Sequence, residues 1–179
     1  PGMSATNTIT VKGNFNTLSF AATDPNLRHT LHLNGADHLR FEDLTIEAIG
    51  ATSGWAVRMS NNANHNTFKR CVIRTNETST TTFFAAFTLT QSPTAATGTQ
   101  SGTASNLLID SCQIVGGYYG LCLNGNGITM GSRPSNNTVR NSSITNFYFY
   151  GIYANGQNDL VIEYNDINRA TRSTVTTFY

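Results

Sequence analysis

Charge is the scarcest property of this 179-residue sequence: Asp, Glu, Lys and Arg make up 12% of it and the formal net charge is +1. Of the eleven cationic residues only Lys12 and Lys69 are lysines. So little positive charge argues against a nucleic-acid binder held by phosphate contacts. With 39% of residues hydrophobic, charge-extended disorder is excluded as well. Three cysteines make no disulfide framework, and neither a CxxC pair nor an HExxH zinc motif occurs. No apolar run approaches the ~20 residues of a membrane helix, and no secretory leader is legible. The expectation is one domain, 1–179, with residues 1–6 set apart as a processing remnant or a disordered lead.

Neutral polar residues fill the space that charge leaves: 27 Thr and 21 Asn. Both are poor helix formers. Thr suits strands, and Asn suits corners where φ is positive. A repeat organises them. Leu39–Ile46, Asn66–Ile73, Leu107–Ile114, Asn137–Ile144 and Leu160–Ile167 share one template of two short strands around a bend. A weaker copy, Gly13–Phe20, places Phe15 level with Phe41. A shorter strand precedes each better copy: Leu31–Leu33, Val57–Met59, Phe87–Leu89, Leu121–Leu123 and Ile152–Ala154. Apolar residues alternate within these strands, the mark of one buried face. The steps between matching anchors are 26, 27, 41, 30 and 23 residues. The predicted fold is all-β: a parallel solenoid of five to six coils, three short strands per coil, with insertions in the middle coils. Thr174–Tyr179 reads as the start of a coil left incomplete.

The stretch Leu31-His32-Leu33-Asn34-Gly35-Ala36-Asp37-His38-Leu39-Arg40-Phe41-Glu42-Asp43-Leu44-Thr45-Ile46 carries a family likeness. It resembles the right-handed parallel β-helix of the pectate-lyase-like superfamily. It is most similar to the β-helix repeats of large secreted surface or carbohydrate-active proteins of Bacteroidetes-type bacteria. The resemblance implies a secreted or cell-surface bacterial protein. It also brings lyases that hold calcium with clustered carboxylates and use Arg or Lys as base, and hydrolases that use neighbouring Asp residues.

Stacking turns columns into contacts, since matching residues lie ~4.8 Å apart. Glu42, Lys69, Asp110, Arg140 and Glu163 form a column of alternating sign, flanked by Asp43 and Arg70 and by Glu47 and Arg74. Such pairs stabilise by roughly 0.2–1 kcal/mol each and occupy half of the ten acids. The others, Asp24, Asp37, Glu77, Asp159 and Asp166, fall on different faces, and no Asp-Asp or Gly-His-Gly occurs. The expectation is therefore no enzyme, no catalytic residue, no metal site and no cofactor; structural calcium is not predicted.

Other residue groups read as structure. His38 and His65 share a corner column with Asn106, Asn136 and Asp159. His29 and His32 lie three apart. Cys71 and Cys112 share an inward column with Leu44, Ser142 and Asn165, which predicts reduced buried thiols and a short internal amide ladder. Cys122 is expected to face outward. Asn124-Gly125-Asn126-Gly127 lacks the Lys-Ser/Thr ending of a phosphate loop. No rank of repeated Thr-x-Thr forms, which excludes ice binding.

The insertions cluster. Loops 90–105 and 124–136 are expected to form one wall beside the first strand of each coil, and segments 47–56 and 74–86 a second. Aromatics gather there. Alternation predicts Trp55, Tyr119 and Tyr150 inward, with Phe84, Tyr118 and Phe149 outward. Arg58, Phe84, Thr88, Tyr118, Asn124, Phe149, Tyr153 and Asn155 are the candidate ligand-binding residues of an axial groove. Ring faces pack on the C–H faces of sugars, and amide, hydroxyl and guanidinium groups bond sugar hydroxyls. The expected function is non-catalytic binding of an extended neutral polysaccharide such as xylan. No nucleic acid or membrane insertion is expected; further domains or another copy would cap the open ends. The alternatives are a structural or adhesin segment without a glycan ligand, and a fragment of a polysaccharide lyase or glycoside hydrolase.

Overall fold

The structure, a computed structural model, describes residues 3–100, 102–125 and 132–172. The expected coil start at 174–179 and part of loop 124–136 lie outside those residues.

Among the described residues, seventeen short strands wind into a parallel solenoid. The first coil holds β1 (Ile9–Lys12), β2 (Thr17–Phe20) and β3 (His29–Asn34); the second β4 (Leu39–Glu42), β5 (Thr45–Ala48) and β6 (Gly54–Ser60). The third has β7 (Thr67–Lys69), β8 (Val72–Arg74) and β9 (Phe84–Leu89); the fourth β10 (Leu108–Asp110), β11 (Gln113–Val115) and β12 (Tyr119–Asn124). The fifth has β13 (Thr138–Arg140), β14 (Ser143–Thr145) and β15 (Tyr150–Asn155), followed by β16 (Val161–Glu163) and β17 (Asp166–Asn168). Equivalent strands pair in parallel into three sheets, β1-β4-β7-β10-β13-β16, β2-β5-β8-β11-β14-β17 and β3-β6-β9-β12-β15.

The five better repeat copies stack in the expected register, Phe41 on Phe68 on Ile109 on Val139 on Ile162. The weak first copy is shifted. Val11, not Phe15, pairs with Phe41, and Leu18 pairs with Ile46. The first bend is longer, so Phe15 sits on the corner with 81% of its surface exposed. Inward ranks such as Ile46, Ile73, Ile114 and Ile144 have no exposed surface and fill the bore.

Corners are set by left-handed backbone. His38, His65, Asn106, Asn136 and Asp159 all have φ between 51° and 57°. Asn and Asp tolerate that region because their short side chains bond locally. The His38 and His65 rings stack there at 4.6 Å. Inside the same corner lie two fully buried amides. Asn66 Oδ1 accepts from Leu39 N–H, and its Nδ2 donates to the Ala36 and Ala63 carbonyls. Asn137 Oδ1 likewise accepts from Leu107 N–H while Nδ2 donates to Ala104 O and Gln157 Oε1. At the other bend the expected inward column forms. Ser142 Oγ accepts from Cys112 N–H, and Asn165 Oδ1 accepts from Ser142 N–H. Cys71 and Cys112 are buried free thiols in that column. The hydrogen bond with Cys71 and burial push the Cys112 thiol far up.

The charge column adopts its register, and it is one member longer than the repeat indicated: Lys12 pairs with Glu42. Asp110 and Arg140 close as an ion pair at 3.1 Å, as do Glu47 and Arg74 at 3.0 Å. Glu42 turns to Arg70 rather than Lys69, at 3.6 Å, because Arg70 already lies against Asp43 at 2.7 Å.

Candidate functional site

The outer face of the third sheet, β3-β6-β9-β12-β15, is the face on which the candidate groove was placed. Its side chains do not alternate throughout. Two consecutive residues of β6, Ala56 and Val57, and two of β9, Ala86 and Phe87, belong to the central core. Trp55, Tyr119 and Cys122 belong instead to a separate outer cluster. The parity break reverses the expected orientation of Trp55, Tyr119 and Tyr150. A rank of small residues accommodates it: Ala56, Ala86, Gly120 and Gly151. A Cβ on Gly120 would stand 2.7 Å from Ile144 Cγ2, and one on Gly151 2.6 Å from Ile167 Cγ2. Phe84, expected outward, is 3% exposed and offers no ring to a ligand.

Loop 90–105 is not a wall. It lies across the sheet and covers it. Arg58 Nη2 donates to Gln91 O, the Cys122 thiol to Ala96 O at 3.1 Å, and Asn124 Nδ2 to Gly98 O. Asn124 O accepts from Gly102 N–H, and Ala96 packs into the outer cluster. Tyr119 bonds Thr97, and burial pushes its hydroxyl up to about 12. Arg58, Thr88 and Asn124 are consequently buried, at 6%, 0% and 0% exposure. The open axial groove expected across those three residues is therefore occupied by the chain's own loop. Cys122 does face outward, but under this cover, and burial raises its thiol. Beneath the loop Arg58 Nε, Trp55 Nε1 and Asn124 Oδ1 are buried without a hydrogen-bond partner.

The cover ends where the aromatics begin. Tyr118, Phe149 and Tyr153 remain half-exposed, joined by Tyr148 and Tyr150, which the sequence reading did not select. Tyr118 stacks on Phe149 at 5.4 Å, and Tyr119 on Tyr150 at 5.5 Å with an interplanar angle of 4°. Phe149 and Tyr153 meet Tyr150 edge-on at 4.7 and 5.3 Å. Asn155 is exposed at the end of the same strand. Arg172 lies over Tyr148 and is fixed by bonds to the Gly117 and Ser79 carbonyls. Burial holds the Tyr118 and Tyr153 hydroxyls above their ordinary range. Tyr148 and Tyr150 could have been found from the run Phe147-Tyr148-Phe149-Tyr150 alone. Selecting alternate members of that run required a parity the backbone does not keep.

Other concavities are present among the described residues. One, about 470 Å³, is lined by Leu18, Phe20, Leu27, His29 and His32 beside the first coil. Another, about 400 Å³ and polar, lies on the corner around Asn62, His65, Asn106 and Arg133. Among the described residues no group of three or more His, Cys, Asp or Glu could hold a metal ion.

A family model described as right-handed beta helix region matches residues 87–179, the half of the chain that carries the ring patch. No curated protein and no solved structure matches.

Proposed function

The chain belongs to the right-handed β-helix family, and on that scaffold we propose that it is a non-catalytic module that binds a short neutral stretch of polysaccharide on the rings of its fourth and fifth coils. The scaffold itself leaves function open, because one fold hosts many activities. The observation that carries the reading is the cluster of Tyr118, Tyr148, Phe149, Tyr150 and Tyr153 left half-exposed beside the covered part of the sheet. Ring faces of this kind pack against sugar C–H faces, and the exposed Asn155 amide can bond a hydroxyl. The patch spans two coils, so it suits a few sugar units rather than a chain running the length of the solenoid. A patch built of rings, with Arg172 already held by two carbonyls and Asp43, Glu47 and Asp110 engaged by arginines, favours neutral glycans such as xylan or glucan over uronans. The same engagement leaves few carboxylates for acid–base chemistry, which supports a binding role over a hydrolytic one. Secretion to a bacterial surface fits such a module.

Affinity electrophoresis against a panel of neutral and acidic polysaccharides tests the reading. Retardation by a neutral glycan is expected. Tyr153→Ala and Phe149→Ala should each weaken it about tenfold, or about 1.4 kcal/mol, with circular dichroism unchanged. Indifference to every glycan would sink the proposal. Unsaturated uronide appearing in calcium with a uronan would replace it with a lyase.

A further inference from the structure

The column of outer rings on the third sheet has a gap. In register it runs through Trp55, Ala85, Tyr119 and Tyr150. Tyr119 and Tyr150, on neighbouring coils, stack at 5.5 Å. Trp55 and Tyr119 stand two strand spacings apart, about 9–10 Å, with only the Ala85 methyl in the column between them. The place over Ala85 is therefore one ring wide. Arg28, from the first coil, lies over the Trp55 ring at 5.1 Å. Ala96 of loop 90–105, 3% exposed, packs into this cluster.

The loop is a closed unit. Gln91 N–H donates to Gln100 O across its stem, and the Thr90 hydroxyl lies 3.1 Å from the Ala95 and Gln100 carbonyls. Ser92 Oγ accepts from the Thr94 and Ala95 N–H groups. Ser92-Pro93-Thr94-Ala95-Ala96-Thr97-Gly98-Thr99 brings no aromatic and no large aliphatic side chain to the sheet. It leaves the face beneath it incomplete. Trp55 Nε1 and Arg58 Nε, both donors, and Asn124 Oδ1, an acceptor, are buried with no hydrogen-bond partner among the described residues. Buried polar atoms are normally paired, so three such atoms under one loop mark a surface that this loop does not satisfy.

We propose that the place over Ala85 is a sugar subsite and that loop 90–105 is its built-in competitor. A sugar ring entering it lies between Trp55 and Tyr119, in line with Tyr150, which already packs against this cluster from the exposed patch. Sugar hydroxyls both donate and accept, so they can complete Trp55 Nε1, Arg58 Nε and Asn124 Oδ1 together. The loop, tied to itself, leaves as a unit on its stem. The subsite rests on the glycan reading of the ring patch, and it extends that patch from the fourth coil to the second. A site that is open only part of the time binds more weakly in proportion to its closed fraction, so unseating the loop raises affinity.

Trp55 is the sole tryptophan, so its emission reports on the subsite rather than on the exposed patch. Xylohexaose and cellohexaose are titrated into the full chain and into a variant with 93–99 replaced by two glycines, with folding checked by circular dichroism. Ala96→Glu keeps the chain length and unseats the loop with a side chain too large for the place over Ala85. In an unseated variant one of the sugars should shift the Trp55 emission and bind about tenfold tighter than in the intact chain. Adding Trp55→Leu should remove that gain. Equal affinity in intact and unseated proteins, or a gain that leaves the Trp55 emission unmoved, overturns the subsite and leaves the exposed patch as the glycan site. Binding by the unseated variants alone supports the subsite and removes the exposed patch. Binding by none of the proteins overturns both.

Discussion

Asn66 shows how much one side chain can carry in this fold. It has no exposed surface and holds three backbone groups, from Leu39, Ala36 and Ala63. Replacing it by alanine strands those groups in the interior. Asn66→Ala should lower the stability measured in urea by about 2 kcal/mol or more, and a loss within error of zero would refute the role given to the amide. The amide was present in the repeat template, but the sequence does not say that this Asn turns inward while Asn106 and Asn136 beside the same corner do not. Backbone φ makes that difference. His32 is a second residue-scale case. Burial, then Arg58 and His29, lower its pKa to about 4, and His29 is lowered as well. A folded-state value below the ordinary one of about 6.5 means that the neutral ring stabilises the fold. That stability is complete above about pH 6.5 and is lost as pH falls towards 4. Asp43, held low by its bond to Arg70, titrates beneath this window. The melting temperature should therefore drop between neutral pH and pH 5, and less so in His32→Gln; identical slopes in the two proteins would exclude His32 as the cause.

At the scale of elements the governing fact is the loop that covers β6, β9 and β12. The atoms it leaves unpartnered, Arg58 Nε, Trp55 Nε1 and Asn124 Oδ1, each cost about 1–3 kcal/mol, so this cover is held less firmly than the strands beneath it. Cys122 reports on it. Shortening the loop across 93–99 should make one thiol react rapidly with a disulfide reagent in the native protein, while Cys71 and Cys112 stay protected until denaturation. Slow reaction of all three thiols in the shortened protein would show that the strands, not the loop, guard Cys122. Little of this was legible beforehand. The strand columns could be read because apolar alternation fixes register. Loop 90–105 has no periodicity that fixes where it lies, so a wall and a cover look the same in sequence. The orientation of Trp55, Tyr119 and Tyr150 failed for a nameable reason: alternation was carried through the bend. The small rank Ala56, Ala86, Gly120 and Gly151 was the readable trace of two successive inward positions.

For the whole molecule, stability is distributed as in a stack of near-neighbours. Ile114 and Ile167 occupy the same column with the same side chain, but Ile114 has no exposed surface and Ile167 is 45% exposed. Ile114→Ala should cost about 2–5 kcal/mol, the range for a buried aliphatic, and Ile167→Ala clearly less, as read from denaturant midpoints. Equal losses would mean that the end coil is as well sealed as the centre under the conditions of measurement. The first coil was the least legible part of the architecture. Gly13 to Asn16 lengthen its bend, which moved the anchor from Phe15 to Val11 and hid Lys12 from the charge column. The stacking order also has a mechanical consequence. The first strand and the last lie at opposite ends of one pile of coils, so tension applied through them runs along the pile and peels it. Rupture would proceed turn by turn from the ends, each step releasing about 3.3–3.6 Å per residue. The turn that carries segments 75–83 and 90–105 would yield the longest step, so it would act as the slack in the line.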